Sequence, residues 1–149
     1  MKQTLVALVE NKPGVLNRVA SLFRRRNFNI DSLTVGRTES PAISRMTIVV
    51  DTDAEKVAKQ LYKLVNVIQV EDVTNVPNVS RDLALIKVQV SAETRGQVIQ
   101  ICDIFRAHIV DTSPETLIVE VTGDEEKITG IVEILRQFGI LEMVRTGVV

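Results

Sequence analysis

The sequence predicts an α+β protein made of two consecutive βαββαβ units, each a four-stranded antiparallel sheet with two helices on one face. Three observations carry this prediction. Short apolar stretches of strand length alternate with helical apolar stripes in the order strand, helix, strand, strand, helix, strand. That order occurs twice, on either side of a polar segment containing Pro77. The chain has 149 residues, enough for two small domains of about 70 residues each.

In the first unit, Thr4 to Val9 is apolar on both alternating faces, the pattern of a central strand covered on both sides. Val15, Leu16, Val19, Leu22 and Phe23 then mark a helix with one buried stripe. Arg24-Arg25-Arg26 falls in its last turn, where cations suit the negative end of the dipole, and Asn27 suits the stop. Phe28 and Ile30 share one phase while Leu33 and Val35 share the other, so a bulge is expected near Asp31-Ser32. Gly36 to Pro41 reads as a polar connection, and Ile43 to Val50 as a strand with Met46, Ile48 and Val50 on one face. Thr52 to Glu55 has capping-box spacing ahead of a stripe at Ala54, Val57, Ala58, Leu61 and Leu64. Val67 to Val73 completes the unit.

The second unit repeats the order. Leu83 to Val90 is a strand, Val98, Ile101, Cys102 and Phe105 mark a helix, and two strands at Ile109-Val110 and Leu117 to Val121 flank a Ser113-Pro114 turn. Asp124 caps a helix with stripe Ile128, Ile131, Val132 and Leu135, which Gly139 stops before a last strand at Ile140 to Val144. Both units thus have the ferredoxin-like order. Expected boundaries are 1–75 and 82–149, with 76–81 as linker.

One stretch differs between the units. Glu10-Asn11-Lys12-Pro13-Gly14-Val15-Leu16 leaves a strand and opens a helix through a polar turn. The first amides of a helix lack intrahelical partners and carry the positive dipole end, so a carboxylate or phosphate is welcome there. Gly14 removes the Cβ that would obstruct an approaching ligand. The segment from Asn29 to Leu33 is expected to bring a second pair of polar side chains back beside this turn. The second unit has Ala92-Glu93-Thr94-Arg95-Gly96 instead, with Gly96 inside the first helical turn.

Composition excludes several functions. At 45% hydrophobic and 25% charged the chain is of soluble globular type, and its net charge of −1 supplies no field for nucleic acid, membrane or acidic partners. No apolar run spans a membrane and the first residues enter a strand pattern, so the expected location is cytoplasmic. RNA binding on this strand order needs aromatic side chains on the sheet, yet aromatics make up 3% of the chain and Trp is absent. Cys102, the single cysteine, sits on an apolar stripe as a buried small hydrophobe. His108, the single histidine, is expected at a helix end as a C-terminal cap. No catalytic or metal-binding spacing is present, which points to a binding or regulatory protein. A sheet bare on one face would expose more apolar surface than a monomer usually shows, so the N-terminal units are expected to form a homodimer with the turn near the seam. A monomer whose halves pack face to face is the alternative.

These residues carry a resemblance. Glu10 to Leu16 is similar to the ligand loop of an ACT domain, and Asn29 to Val35 with Ser44 to Ile48 is similar to that domain's second and third strands. Ile104 to Ala107, Ile109 to Asp111 and Arg145-Thr146-Gly147 complete a whole-length resemblance to the regulatory small subunits of acetohydroxyacid synthase, also called acetolactate synthase. The resemblance implies a subunit that does no chemistry itself, activates the catalytic large subunit, and confers feedback inhibition by a branched-chain amino acid, usually valine. Thiamine diphosphate, magnesium and FAD would belong to the large subunit. The effector would lie between two N-terminal units, with Gly14 and Val15 offering backbone amides to its carboxylate, Asn11 and Asn29 fixing polar groups, and Ile30 lining the site. Many relatives carry a short basic tail past the position of Val149, and in this the sequence departs from the family's pattern. The alternative function is a free-standing ACT-domain amino-acid sensor.

Overall fold

In the computed structural model, which describes residues 1–149, the first strand β1 (Gln3–Glu10) turns Leu5, Ala7 and Val9 into the core and leaves its other face half-buried. It is followed by α1 (Val15–Arg25), β2 (Ile30–Arg37), β3 (Ile43–Val50), α2 (Ala54–Leu61) and β4 (Val67–Asp72). The second unit contains β5 (Asp82–Gln89), α3 (Arg95–Ile104), β6 (His108–Thr112), β7 (Thr116–Gly123), α4 (Glu125–Leu135) with a short 3-10 turn, and β8 (Ile140–Arg145). Residues 1–79 and 80–147 form separate compact units. Each sheet is antiparallel with its first strand central, in the orders β2-β3-β1-β4 and β6-β7-β5-β8. No helix is long and apolar enough to cross a membrane.

Each core lies between the helices and one sheet face. In the first unit Val19, Leu22 and Phe23 of α1 and Val57 and Leu61 of α2 pack on Leu5, Ala7, Met46, Ile48 and Val50. In the second, Val98 and Cys102 of α3 and Ile128, Ile131 and Leu135 of α4 pack on Ala84, Ile86, Val88 and Val119. The expected bulge in β2 is present, as its register against β3 slips between Ile30 and Ser32.

Helix ends account for the main departures from the sequence reading. Both α1 and α3 stop when a non-glycine residue enters the left-handed region, Asn27 and Arg106, each at φ 55°. The following amides then return five residues, Phe28 to the Phe23 carbonyl at 3.0 Å and Ala107 to the Cys102 carbonyl at 2.8 Å. This early stop moves His108 off the helix and into β6 opposite Glu120, so it is not a helix cap. At α2 the cap is Asp53, whose Oδ1 accepts the Glu55 amide at 3.0 Å, rather than Thr52, and Gln3 Oε1 takes the Ala54 amide at 2.6 Å. Leu64 lies beyond the helix yet still packs on the core. Gly36 extends β2 instead of starting a connection. Leu16, placed by its spacing on the buried stripe, is 49% exposed.

The second unit is closed by an ion pair. Asp82, 3% exposed at the start of β5, accepts from Arg145 Nη2 at 2.6 Å and Nε at 3.2 Å at the end of β8, with Thr146 Oγ1 at 3.4 Å. Removing one partner of a buried pair strands the other's charge. Because the Arg145 side chain keeps 29% exposure, we expect Asp82→Ala to lower stability in urea unfolding by about 2–3 kcal/mol, below the full buried-pair cost. Glu133→Ala, which breaks only the exposed pair with Arg136, should cost under about 0.5 kcal/mol in the same measurement.

Burial, followed by the neighbouring Asp103 carboxylate, pushes the Cys102 thiol from 9.0 to about 11. The unfolded chain therefore ionises first, and this residue's contribution to stability is lost as pH rises from 9.0 toward about 11. At pH 8 we expect iodoacetamide to modify Cys102 only after denaturant unfolds the unit; fast alkylation of the folded protein would contradict the burial.

Candidate functional site

The turn between β1 and α1 is fastened from below. Glu10 donates its amide to the Asn66 carbonyl at 2.9 Å, and Arg18, one turn into α1, reaches Asn66 Oδ1 at 2.5 Å. Asn11 donates its amide to Ala42 at 2.7 Å and its Nδ2 to the Pro41 carbonyl at 2.9 Å, tying the turn to the connection between β2 and β3. That orientation leaves Asn11 Oδ1 to accept from a ligand. Lys12 Nζ sits 2.6 Å from Glu10 Oε2, so the one carboxylate beside the turn is already neutralised.

Gly14 is the N-cap of α1, at φ 85° and ψ −9°. An L-residue with a Cβ rarely adopts this conformation, so the sequence requires glycine here for the chain to enter the helix. A glycine cap brings no side-chain oxygen, and the first turn contains no acidic residue. Val15 donates only a long 3.3 Å bond back to Lys12, and the first intrahelical bond runs from Arg18 to Gly14. The N-terminus of α1 thus presents uncapped amides and the positive end of the helix dipole.

Beside these amides is a cavity of about 210 Å³ on the helix-bearing side of the sheet. Val9, Val15 and Met46 form its buried floor, Leu16 and Val35 its exposed rim, and Ser44 adds a largely buried hydroxyl. The volume lies below the roughly 300–1,000 Å³ of sites for drug-sized molecules, and it suits a small aliphatic group. An anionic end at the amides with an apolar end over Met46 and Val35 is the arrangement an α-amino acid requires. No three His, Cys, Asp or Glu side chains gather to hold a metal.

The structure brings Asn11, Gly14 and Val15 together and places Asn29 and Ile30 elsewhere. Ile30 pairs with Val50, which lies opposite Gln3, whereas Glu10 pairs with Ile43 at the other end of the sheet. The separation is seven residue steps along β3, about 23 Å at a strand rise near 3.3 Å. Asn29 is exposed, Ile30 is half-buried, and neither returns beside the turn of its own chain. The expectation of a second polar pair next to the turn therefore fails within one chain, because β2 must run the full sheet before it reaches that end. Ser44, Met46, Val35 and Leu16 were not apparent as lining from the sequence. Their periodicity matches core positions, and only the lone hydroxyl of Ser44 in an apolar phase distinguishes them.

The matching turn in the second unit is closed. Ser91 and Thr94 cap each other, with the Ser91 amide 2.8 Å from Thr94 Oγ1 and the Thr94 amide 3.2 Å from Ser91 Oγ. Arg95 spans to the turn between β6 and β7, bonding Thr112 Oγ1 at 2.8 Å and the Ser113 and Pro114 carbonyls at 2.5 and 2.8 Å.

Comparison with known proteins fits this division. Residues 81–149 match a family described as the small subunit of acetolactate synthase, and residues 5–69 match the AHAS small subunit-like ACT domain. The chain is 54% identical over 150 residues to a probable acetolactate synthase small subunit of Archaeoglobus fulgidus, covering 99% of this chain and 94% of that one. It is 53% identical over 149 residues to the acetolactate synthase small subunit of Mycobacterium bovis, covering 98% and 89%. The crystal structure of the acetolactate synthase small subunit from Thermotoga maritima superposes with a TM-score of 0.94 at 42% identity, over 100% of this chain and 95% of that one. With both units matched and relatives of this identity aligned end to end, the chain belongs to the acetolactate synthase small-subunit family.

Proposed function

We propose that this regulatory subunit binds the catalytic large subunit of acetolactate synthase, raises its activity, and transmits feedback inhibition by a branched-chain amino acid, with valine the expected effector. The thiamine diphosphate, magnesium and FAD of the reaction reside on the large subunit, and residues 1–75 form the effector-binding part. The observation that carries the reading is the uncapped α1 N-terminus at Gly14 beside a cavity sized for a small aliphatic side chain.

In this reading the effector's carboxylate sits at the amides of Gly14 and Val15, and its ammonium meets Asn11 Oδ1. Asn29 and Ile30 join the pocket from a second copy. The first sheet has two edges, β2 and β4. Tyr62 occupies the β4 edge, its hydroxyl accepting from the Val70 amide at 2.8 Å and donating to the Val70 carbonyl at 3.1 Å. That leaves β2 as the edge for a two-fold partner. Antiparallel pairing of two β2 strands about a two-fold at Leu33 sets the partner's Ile30 opposite Gly36, toward the cavity end of the sheet. The 23 Å separation within one chain is what such a dimer removes.

Acetolactate formation by the cognate catalytic subunit, with and without this chain and titrated with valine, leucine and isoleucine, tests the function. Activation together with inhibition by one of them is expected; amino-acid binding without any effect on the catalytic subunit would instead indicate a free-standing sensor. Sedimentation at micromolar concentration should return twice the 16.6 kDa chain mass.

Gly14→Asp places a carboxylate where the effector's must sit. It should raise the half-inhibitory concentration at least roughly 30-fold, equivalent to about 2 kcal/mol, and leave activation intact. A Cβ at this position meets no atom within 4 Å, so Gly14→Ala carries the backbone strain without steric obstruction and separates the two effects. Unchanged inhibition in Gly14→Asp would reject the site.

A further inference from the structure

The groove between α1 and α2 carries a charge arrangement that the effector turn does not use. It is a cavity of about 420 Å³ with Leu22 and Leu64 on its floor and Arg25, Arg26, Gln60 and Lys63 along its walls. Three of the other four lysines of this unit are matched, Lys12 with Glu10, Lys59 with Glu55 and Lys2 with Asp31, and Lys56 is not. None of the three cations in the groove reaches a carboxylate. Cations in the last turn of α1 complement its dipole, but Lys63 follows a different helix and converges on the same space. Gln60, whose Oε1 is shielded from solvent, closes one wall of the groove.

We propose that this groove is a second binding site, for a small polyanion. Three convergent cations call for at least two anionic groups, phosphate or carboxylate. The leucine floor receives the polyanion's short carbon frame. The groove lies toward the C-terminal end of α1 and the effector turn at its N-terminus, about 15 Å apart along an 11-residue helix. The two sites therefore use different groups and can be assayed separately.

Calorimetry of the full-length chain at low salt, with inorganic pyrophosphate in one arm and citrate in the other, tests the site and distinguishes its two ligand sources. Binding of either at submillimolar concentration is expected, with pyrophosphate preference assigning a phosphate ligand and citrate preference a polycarboxylate. Arg25→Gln and Lys63→Gln replace exposed side chains and should each weaken binding about tenfold without unfolding the protein. Amino-acid binding at the Gly14 turn should be unchanged in both variants, so failure here leaves the effector site standing. No binding of either anion, or equal affinity in the variants and the parent chain, would overturn the proposal.

Discussion

The left-handed conformation of Gly14 is the constraint on which the functional part of this molecule depends. It turns the chain from a central strand into a helix within a few residues, and it does so without supplying a cap. Nearly every other contact in the turn fastens the surroundings: Asn11 to Pro41, Glu10 and Arg18 to Asn66, Lys12 to Glu10. The helix amides are held in place and left open. The two units make the same fold, and the difference between them is concentrated at this junction. Ser91, Thr94 and Arg95 fill in the second unit what Gly14 leaves vacant in the first. A repeated scaffold thereby has one open end and one sealed end.

The edges of the first sheet give this junction its context. Tyr62 saturates the outward groups of Val70 and so protects β4 from strand addition. The other edge, β2, borders the cavity through Val35. Joining two copies along β2 would bury the exposed rim residues and complete the pocket in one step, so that effector binding and dimer geometry share the same surface. Such sharing is how a small molecule can bias one arrangement of a pair. A coupling of about 1–3 kcal/mol is enough for useful regulation of a bound enzyme.

Much of the fold was legible in the sequence because it rests on local rules. Helical stripes ending at Asn27 and Gly139, the Asp124 cap and the break in phase at Asp31-Ser32 all have physical signatures within a few residues. The misplaced details are those decided by tertiary geometry or by one residue of helix phase. His108 moved into a strand because Arg106, with no compositional hint, took the left-handed position. Leu16 left the core because at the start of α1 it is Val15 that turns inward, which sets Leu16 on the cavity rim. At the site, Gly14, Asn11 and Val15 were readable from the turn itself. The distance between that turn and Asn29 was not, since strand register follows from pairing across the sheet, and nearness in sequence says little about it.

The central claim is that the effector pocket is shared between two chains, and subunit mixing tests it most directly. Chains carrying Gly14→Asp and chains carrying Asn29→Ala are each expected to bind valine poorly, as homodimers with two damaged pockets. When the two are refolded together, each mixed dimer regains one pocket with an intact turn and an intact Asn29. Calorimetry of a random mixture should then recover high-affinity binding at about one site per four chains. If the mixture binds no better than either variant alone, the pocket lies within a single chain and the shared site is wrong.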